Sequence, residues 1–335
     1  MKKFFVLLAI LVMIMANAAF AEERVLINFS DLVDDAQGEH QATLVDFSQF
    51  AGTRFTEEEK AQMRSSLNIP NWGVQLSSSS QTVMNNHLSY VRPVQVNEGA
   101  TRFAGEQVMG IRIHFPTQAF NSYAWIKPPF EIPAYSTNTF DENAVKGDQF
   151  TGFGVLKNVG VLKTVKMTVY GLNHPMGIGV VLRDMDNEFM EVPLGHLEFD
   201  GWRELSWNNP NYITEVRRRA LKRYPLYPRS APLLILDSIQ IYKDAMKEGG
   251  DFIGYIKDIT LIYDNATLQN VDADLNHEDY WGILVDREEE RRVREGARLS
   301  DREVLLYLEK QKMHQDDAGD AGDAGDAGEE AAVIQ

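Results

Sequence analysis

The chain of 335 residues contains no cysteine. That absence excludes disulfides, thiolate nucleophiles and every zinc or iron–sulfur site built on cysteine. Histidine is scarce too, with seven in all, and no two stand at a metal-ligand spacing. Beyond the first 21 residues there is no apolar run of the roughly 18 residues needed to cross a bilayer. Positive charge is in short supply: 33 Lys and Arg face 49 Asp and Glu, a net charge of −16. Such a surface repels nucleic-acid phosphates and anionic lipid headgroups. Cationic proteins, neutral sugars and other protein surfaces remain as partners. Hydrophobic residues at 44% and charged residues at 24% keep the chain in the globular range. The chemistry-bearing motifs are missing as well. There is no G-x-S-x-G elbow, no Walker A loop and no H-E-x-x-H pair, and Gly152-Phe153-Gly154 is too short for a dinucleotide fingerprint. The expectation is a protein that is not an enzyme and uses no cofactor or metal.

What is present begins with an export signal. Lys2 and Lys3 precede the apolar run Phe4 to Met15, and Ala19-Phe20-Ala21 supplies the small residues of a cleavage site. Cleavage is expected between Ala21 and Glu22, which makes the mature chain more acidic still because two lysines leave with the leader. A soluble exported protein of this size without cysteine fits a bacterial periplasm better than a disulfide-stapled scaffold.

From Glu22 to about Tyr263 the texture is β. Met109, Ile111, Ile113 and Phe115 alternate with Gly110, Arg112 and His114, the period of a half-buried strand. Val161, Val165, Met167 and Val169 belong to a second strand, punctuated by Gly171-Leu172-Asn173-His174-Pro175, with Gly177 to Leu182 as its return strand. Leu233–Tyr242 and Phe252–Tyr263 are two more, and the Lys247–Asp251 turn between them is compatible with a hairpin. Few helices interrupt. Thr56 to Leu67 opens with a Thr56/Glu59 capping box, and Asn211 to Lys222 is a second short helix stopped by Pro225 and Pro228.

After about Thr267 the composition shifts. His277–Gly296 and Ser300–His314 read as charged helices, with Glu288–Arg292 and Glu290–Arg294 as i,i+4 pairs and a capping box at Ser300/Glu303. Asp-Ala-Gly then repeats four times from Asp317 to Gly328, and seven acidic residues without a basic one lie between Asp316 and Glu330. So acidic and apolar-poor a stretch reads as a disordered tail. The fold class expected is therefore mainly β: a jelly-roll-like β-sandwich with a few short helices, followed by a charged helical C-terminal segment and a disordered acidic tail. The divisions are 1–21 for the leader, 22–266 for the sandwich, 267–315 for the helical extension and 316–335 for the tail.

Two blocks stand out for aromatics and proline, Tyr123 to Tyr135 and Gly201 to Ile213. Trp125, Tyr135 and Trp202 are candidate interface residues, against the plainer reading that each tryptophan plugs the core. Arg217, Arg218, Arg219, Lys222 and Arg223 gather five positive charges within seven residues of an acidic chain. They are a candidate charged contact, or else the solvated face of a helix. Asp184, Asp186 and Glu188 alternate like the start of a calcium loop, but Phe189 stands where that loop needs glycine, so an acidic turn is the better reading.

Four separated blocks carry a family likeness: Ile126-Lys127-Pro128-Pro129-Phe130-Glu131-Ile132-Pro133, Gly154 to Gly160, Gly201-Trp202 through Trp207 to Ile213, and Phe252 to Asp258. In these blocks, over roughly Val25 to Tyr263, the chain resembles the flagellar filament outer layer (sheath) proteins of spirochaete periplasmic flagella, the FlaA family. The resemblance implies a non-enzymatic periplasmic subunit that coats a flagellin core and affects filament stiffness and motility. It implies core flagellins and copies of itself or related sheath subunits as partners, and no catalytic residues. Core flagellins build their inner tube from long heptad-like terminal helices; strands near the N-terminus here place this chain outside such a core. A periplasmic carbohydrate-binding jelly roll, stacking sugars on Trp125, Tyr135 or Trp202, is the alternative. A glycoside-active enzyme with an unidentified acidic pair is a weaker third.

Overall fold

The structure is a computed structural model that describes residues 21–32, 43–48, 51–134, 150–219, 224–225, 232–266, 268–269 and 280–323. Residues 1–20, where the export signal is expected, Tyr135, Lys222, Arg223 and the residues from 324 onward lie outside the described residues.

Strands β1 to β16 are numbered in chain order. Among the described residues, two six-stranded antiparallel sheets face each other around one core. The first runs β12 (Asp200–Asn208), β9 (Val159–Leu172), β15 (Gly250–Asn265), β6 (Gln107–Phe115), β5 (Tyr90–Gln95), with β1 (Glu22–Asn28) also paired to β15. The second runs β11 (Phe189–His196), β10 (Gly177–Asp184), β14 (Leu233–Lys243), β7 (Ser122–Lys127), β4 (Gly73–Leu76), with β8 (Val155–Lys157) also paired to β14. Two small ladders complete the set: β2 (Val45–Asp46) with β3 (Arg64–Ser65), and β13 (Tyr224–Pro225) with β16 (Leu268–Gln269). The helices are α1 (Glu57–Ala61), α2 (Val83–Leu88), α3 (Tyr212–Arg219) and α4 (Ile283–Asp323).

Alternation sends one row of each strand inward. On β9, Val165, Met167 and Val169 are buried in the core, and on β6 so are Met109, Ile111, Ile113 and Phe115. Each such side chain contributes about 1.5–3 kcal/mol when fully removed from water. From the second sheet Ile178, Val180, Leu182, Ile239 and Ile241 meet them. The residues of opposite parity, such as Lys166, Thr168 and Tyr170, form the outer face.

Two connections expected to be hairpins cross between sheets instead. β9 leads into β10, yet β10 pairs with β11 and β14. β14 leads into β15, yet β15 pairs with β1, β6 and β9. The Lys247–Asp251 turn is thus a bridge across the sandwich and not a hairpin turn. Apolar residues on both faces of these strands report layers stacked on the sheet and do not say which strand is the hydrogen-bonded neighbour. Gly249 lies on this bridge, and a Cβ there would collide with the Pro116 carbonyl. The acidic run is a turn, as expected: Asp184 Oδ1 accepts from the backbone N–H of Asp186 and of Glu188, both at 2.9 Å.

Helix boundaries depart from expectation in physical ways. The Thr56/Glu59 capping box forms, with Thr56 N donating to Glu59 Oε2 at 2.7 Å. But α1 ends at Ala61, because Arg64 and Ser65 pair with β2. At the C-terminal end a single helix, α4, replaces the expected pair. Ser300 is not its cap: it is buried inside the helix, and its hydroxyl donates to the Gly296 carbonyl one turn back. No proline breaks the stretch, so the helix continues through Asp323, and residues 316–323 of the segment expected to be disordered are helical. Arg294 reaches Glu290 at 3.6 Å as expected, and Arg292 reaches Glu289 at 3.1 Å. Leu299 docks α4 on the body by joining Phe47, Ala51 and Met63 in a separate small core, with Tyr307 edge-on to Phe55.

Candidate interaction face

The outer face of the first sheet carries a transverse aromatic row. Register places Trp202 of β12 opposite Tyr170 of β9, and Tyr170 opposite Tyr255 of β15. The rings meet edge to face, at 5.3 Å for Trp202–Tyr170 and 5.9 Å for Tyr170–Tyr255. Such pairs contribute about 0.5–1.5 kcal/mol each beyond area burial. The row continues to Gly110 of β6 and Arg92 of β5. A Cβ at Gly110 would lie 2.7 Å from Val94 Cγ2 and 3.5 Å from Tyr255 Cδ1.

The β5–β6 connection folds over one end of this row. Phe103 sits there in the left-handed region at φ 59°, where a side chain clashes with its own carbonyl. Its ring stands 5.0 Å from Trp202, edge to face, with Lys257 Nζ 4.5 Å from its centroid. Lys257 is in turn paired with Glu106 at 3.1 Å and Asp258 at 3.5 Å. The contacts hold Phe103 against its backbone preference. Trp202 is consequently neither a core plug nor an open platform; it is half-buried and anchors a loop.

Alongside the row, further along β6 and β15, Arg112, His114 and Asp251 form a polar cluster. Asp251 Oδ1 accepts from Arg112 Nη2 at 3.2 Å and lies 3.1 Å from His114 Nδ1. The hydrogen bond from His114, then that from Arg112, holds the Asp251 carboxyl below the usual range. Elsewhere on the face Glu23, with Glu204 nearby, raises the Lys166 ammonium.

The other candidates are not brought to this row. Trp125 lies on β7 among neighbours whose side chains Ala124 and Ile126 enter the core, so it belongs to the outer face of the second sheet. There it meets Tyr123 at 4.6 Å, edge to face, with Lys127 Nζ 5.5 Å from its ring. Arg217 and Arg218 are exposed on α3, and Arg219 closes that helix. Tyr212 fastens α3 by donating to Asp264 Oδ2 at 3.0 Å. Asn209 Nδ2 adds bonds to the Leu162 carbonyl and to Glu215, at 2.8 and 2.9 Å. α3 thus begins past the end of β12, which itself lies roughly 20 Å along the strand from Trp202. Phe103, Tyr170, Tyr255 and Lys257 were not among the sequence candidates. The two tyrosines fall out of phase with the apolar positions of their strands, which was the available signal; nothing local marked Phe103. Among the described residues no three His, Asp or Glu side chains are grouped to hold a metal ion.

A family model described as "Flagellar filament outer layer protein Flaa" matches residues 36–272. The chain belongs to this family. Curated relatives named flagellar filament outer layer protein include one from Spirochaeta aurantia, 49% identical over 316 residues, covering 93% of this chain and 94% of the relative. A second, from Treponema pallidum, is 42% identical over 333 residues, covering 93% and 95%. A third, from Borreliella burgdorferi, is 32% identical over 218 residues, covering 65% and 61%. The first two extend the match well beyond the β-rich blocks. Solved structures resemble the chain more distantly. One concerns carbohydrate-binding modules of the β-sandwich superfamily, at TM-score 0.31 and 11% identity, covering 62% of this chain and 60% of the other. Another is a carbohydrate-binding module with β-1,4-galactotriose, at TM-score 0.28 and 11% identity, covering 58% and 90%. Scores this low carry no inference about ligand.

Proposed function

We propose that the protein is a structural subunit of the outer layer of spirochaete flagellar filaments, coating a flagellin core and contributing to filament stiffness and motility. The observation that carries this reading is family membership, with named outer-layer relatives that align over 93% of the chain. The partners are core flagellins and further copies of this chain or related layer subunits, and the reading includes no catalytic role. The location is the periplasm, reached by cleavage between Ala21 and Glu22. Glu22 opens β1, so the expected cleavage leaves the first sheet complete. Deleting the gene should thin the filament and impair motility while a core filament remains; loss of the whole filament would overturn the reading. Edman sequencing of purified filaments should begin at Glu22.

A layer that repeats along a filament needs a head-to-tail contact. The Arg217, Arg218, Arg219, Lys222 and Arg223 cluster supplies one face of it in this reading, meeting acidic surface on a neighbour. Exposed ion pairs are individually worth about 0–1 kcal/mol, so a single substitution does little. Reversing Arg217, Arg218 and Arg223 together to Glu should release the subunit from sedimented filaments without changing its melting temperature. Co-sedimentation equal to wild type would reduce the cluster to a solvated face. Trp125 and Trp202 lie on different sheets and so would serve different contacts.

A further inference from the structure

The outer face of the second sheet holds a cleft of about 390 Å³ beneath α4, with room for roughly a dozen waters. Its polar lining is Arg183 and Asp184 from β10 and Asn187 just after it, with Arg291, Arg294, Glu295 and Arg298 from the helix. Positions 291, 294 and 298 fall on one helical stripe, so one face of α4 turns three guanidiniums toward a fourth. Four cations meet two carboxylates in the lining.

Arg183 is the decisive member. Only 8% of it is exposed, and a buried guanidinium is costly without full hydrogen bonding. Its Nη1 donates to Glu131 Oε2 and to Asn187 Oδ1, both at 3.3 Å. Its Nε is buried with no hydrogen-bond partner among the described residues. Glu131 does not neutralise it alone, because the same Oε2 also takes Arg298 at 2.7 Å. Asp184 already spends one oxygen on the backbone of its own turn. Arg294 donates its Nε to the Glu290 carbonyl at 3.3 Å, but its ion pair with the Glu290 carboxylate is long and largely exposed, so the Nη groups can turn to an anion at little cost.

We propose that this cleft binds an oxyanion, a carboxylate, phosphate or sulfate group that accepts from the helix arginines beside the buried positive charge of Arg183. Planar guanidinium forks match such groups in geometry as well as charge. The anion comes either free from solution or as carboxylates borne by an acidic protein segment, of which this chain's own Asp-Ala-Gly stretch is an example. The site stands independently of the outer-layer reading.

Calorimetric titration of the full chain at low ionic strength tests this with three probes: sodium sulfate, sodium phosphate, and a peptide of three Asp-Ala-Gly repeats followed by Glu-Glu. At least one should bind, and Arg291→Gln with Arg294→Gln should weaken it roughly tenfold or more, the loss expected for charge-assisted hydrogen bonds. Arg217→Gln on α3 should leave binding unchanged. Both variants alter helix positions that reach solvent, and an unchanged circular dichroism melt confirms folding. Tighter binding of the peptide than of sulfate or phosphate assigns a protein source, and the reverse a free anion. Failure of all three probes on wild type, or equal binding by the double variant, overturns the proposal.

Discussion

The two outer faces of the sandwich are covered by different means. On the first sheet the cover is the short β5–β6 connection, pinned by Phe103 against Trp202 and by Lys257 against Glu106. On the second it is α4, a helix of 41 residues that joins the body through a small core of Phe47, Ala51, Met63 and Leu299. The loop belongs to a hairpin whose strands lie within the sheet, so it forms when the sheet forms. The helix is remote in sequence and anchored at few points. Cover that is continuous with the sheet shares its cooperativity, whereas an appended helix opens at its own, lower free energy.

Substitutions should separate these regimes. Phe115→Ala, in the sheet-to-sheet core, should cost about 3–5 kcal/mol and lower the main urea transition. Leu299→Ala should cost about 2–3 kcal/mol, but in helix docking: proteolysis within α4 accelerates while the main transition holds. If that transition falls equally, body and helix are one cooperative unit. At the loop, Phe103→Gly should be more stable than Phe103→Ala by about 1 kcal/mol, since glycine alone accepts φ 59° without strain. Equal melting temperatures would show that the loop relaxes when the ring is lost.

The smallest effect concerns Asp251. Its carboxyl titrates lower in the fold than in the unfolded chain, so the native state holds fewer protons. The stabilisation is present above the unfolded value near pH 4 and is lost as pH falls through the folded one. With 46% of the side chain exposed, solvent screening keeps it below about 1 kcal/mol. Asp251→Asn should remove that part of the acid sensitivity in denaturant titrations from pH 5 to 2; an unaltered slope would exclude the carboxylate as its source.

Local pattern revealed what repeats locally. The inward row Met109, Ile111, Ile113, Phe115 and the Thr56/Glu59 capping box were legible because neighbours in sequence decide them. The partners of β10 and β15 were not, since apolar residues on two faces report burial without saying which strand is the hydrogen-bonded neighbour. Ser300 misled for a related reason: a capping pattern looks the same inside a helix whose preceding turn continues. Of the candidate site, Trp202 and the exposed arginines were visible as composition. The row to which Trp202 belongs depends on register among strands separated by tens of residues. Arg183 is a cation inside a β-strand sequence, and only α4 folding over it turns that oddity into a lined cleft.

One pairing governs when this molecule can exist as a folded object. β15 is the hub of the first sheet, bonded to β1, β6 and β9, and residue 22 at its margin faces residue 263. Nearly the whole β-rich sequence must emerge before the opening strand finds its seat. Contacts this distant in the chain delay closure, because loop entropy is lost before pairing returns anything. A nascent chain therefore stays pliable through most of its synthesis, a property that suits passage through a narrow translocation channel. Pulse-labelled hydrogen exchange during refolding should find the amides of β1 protected no earlier than those of β15.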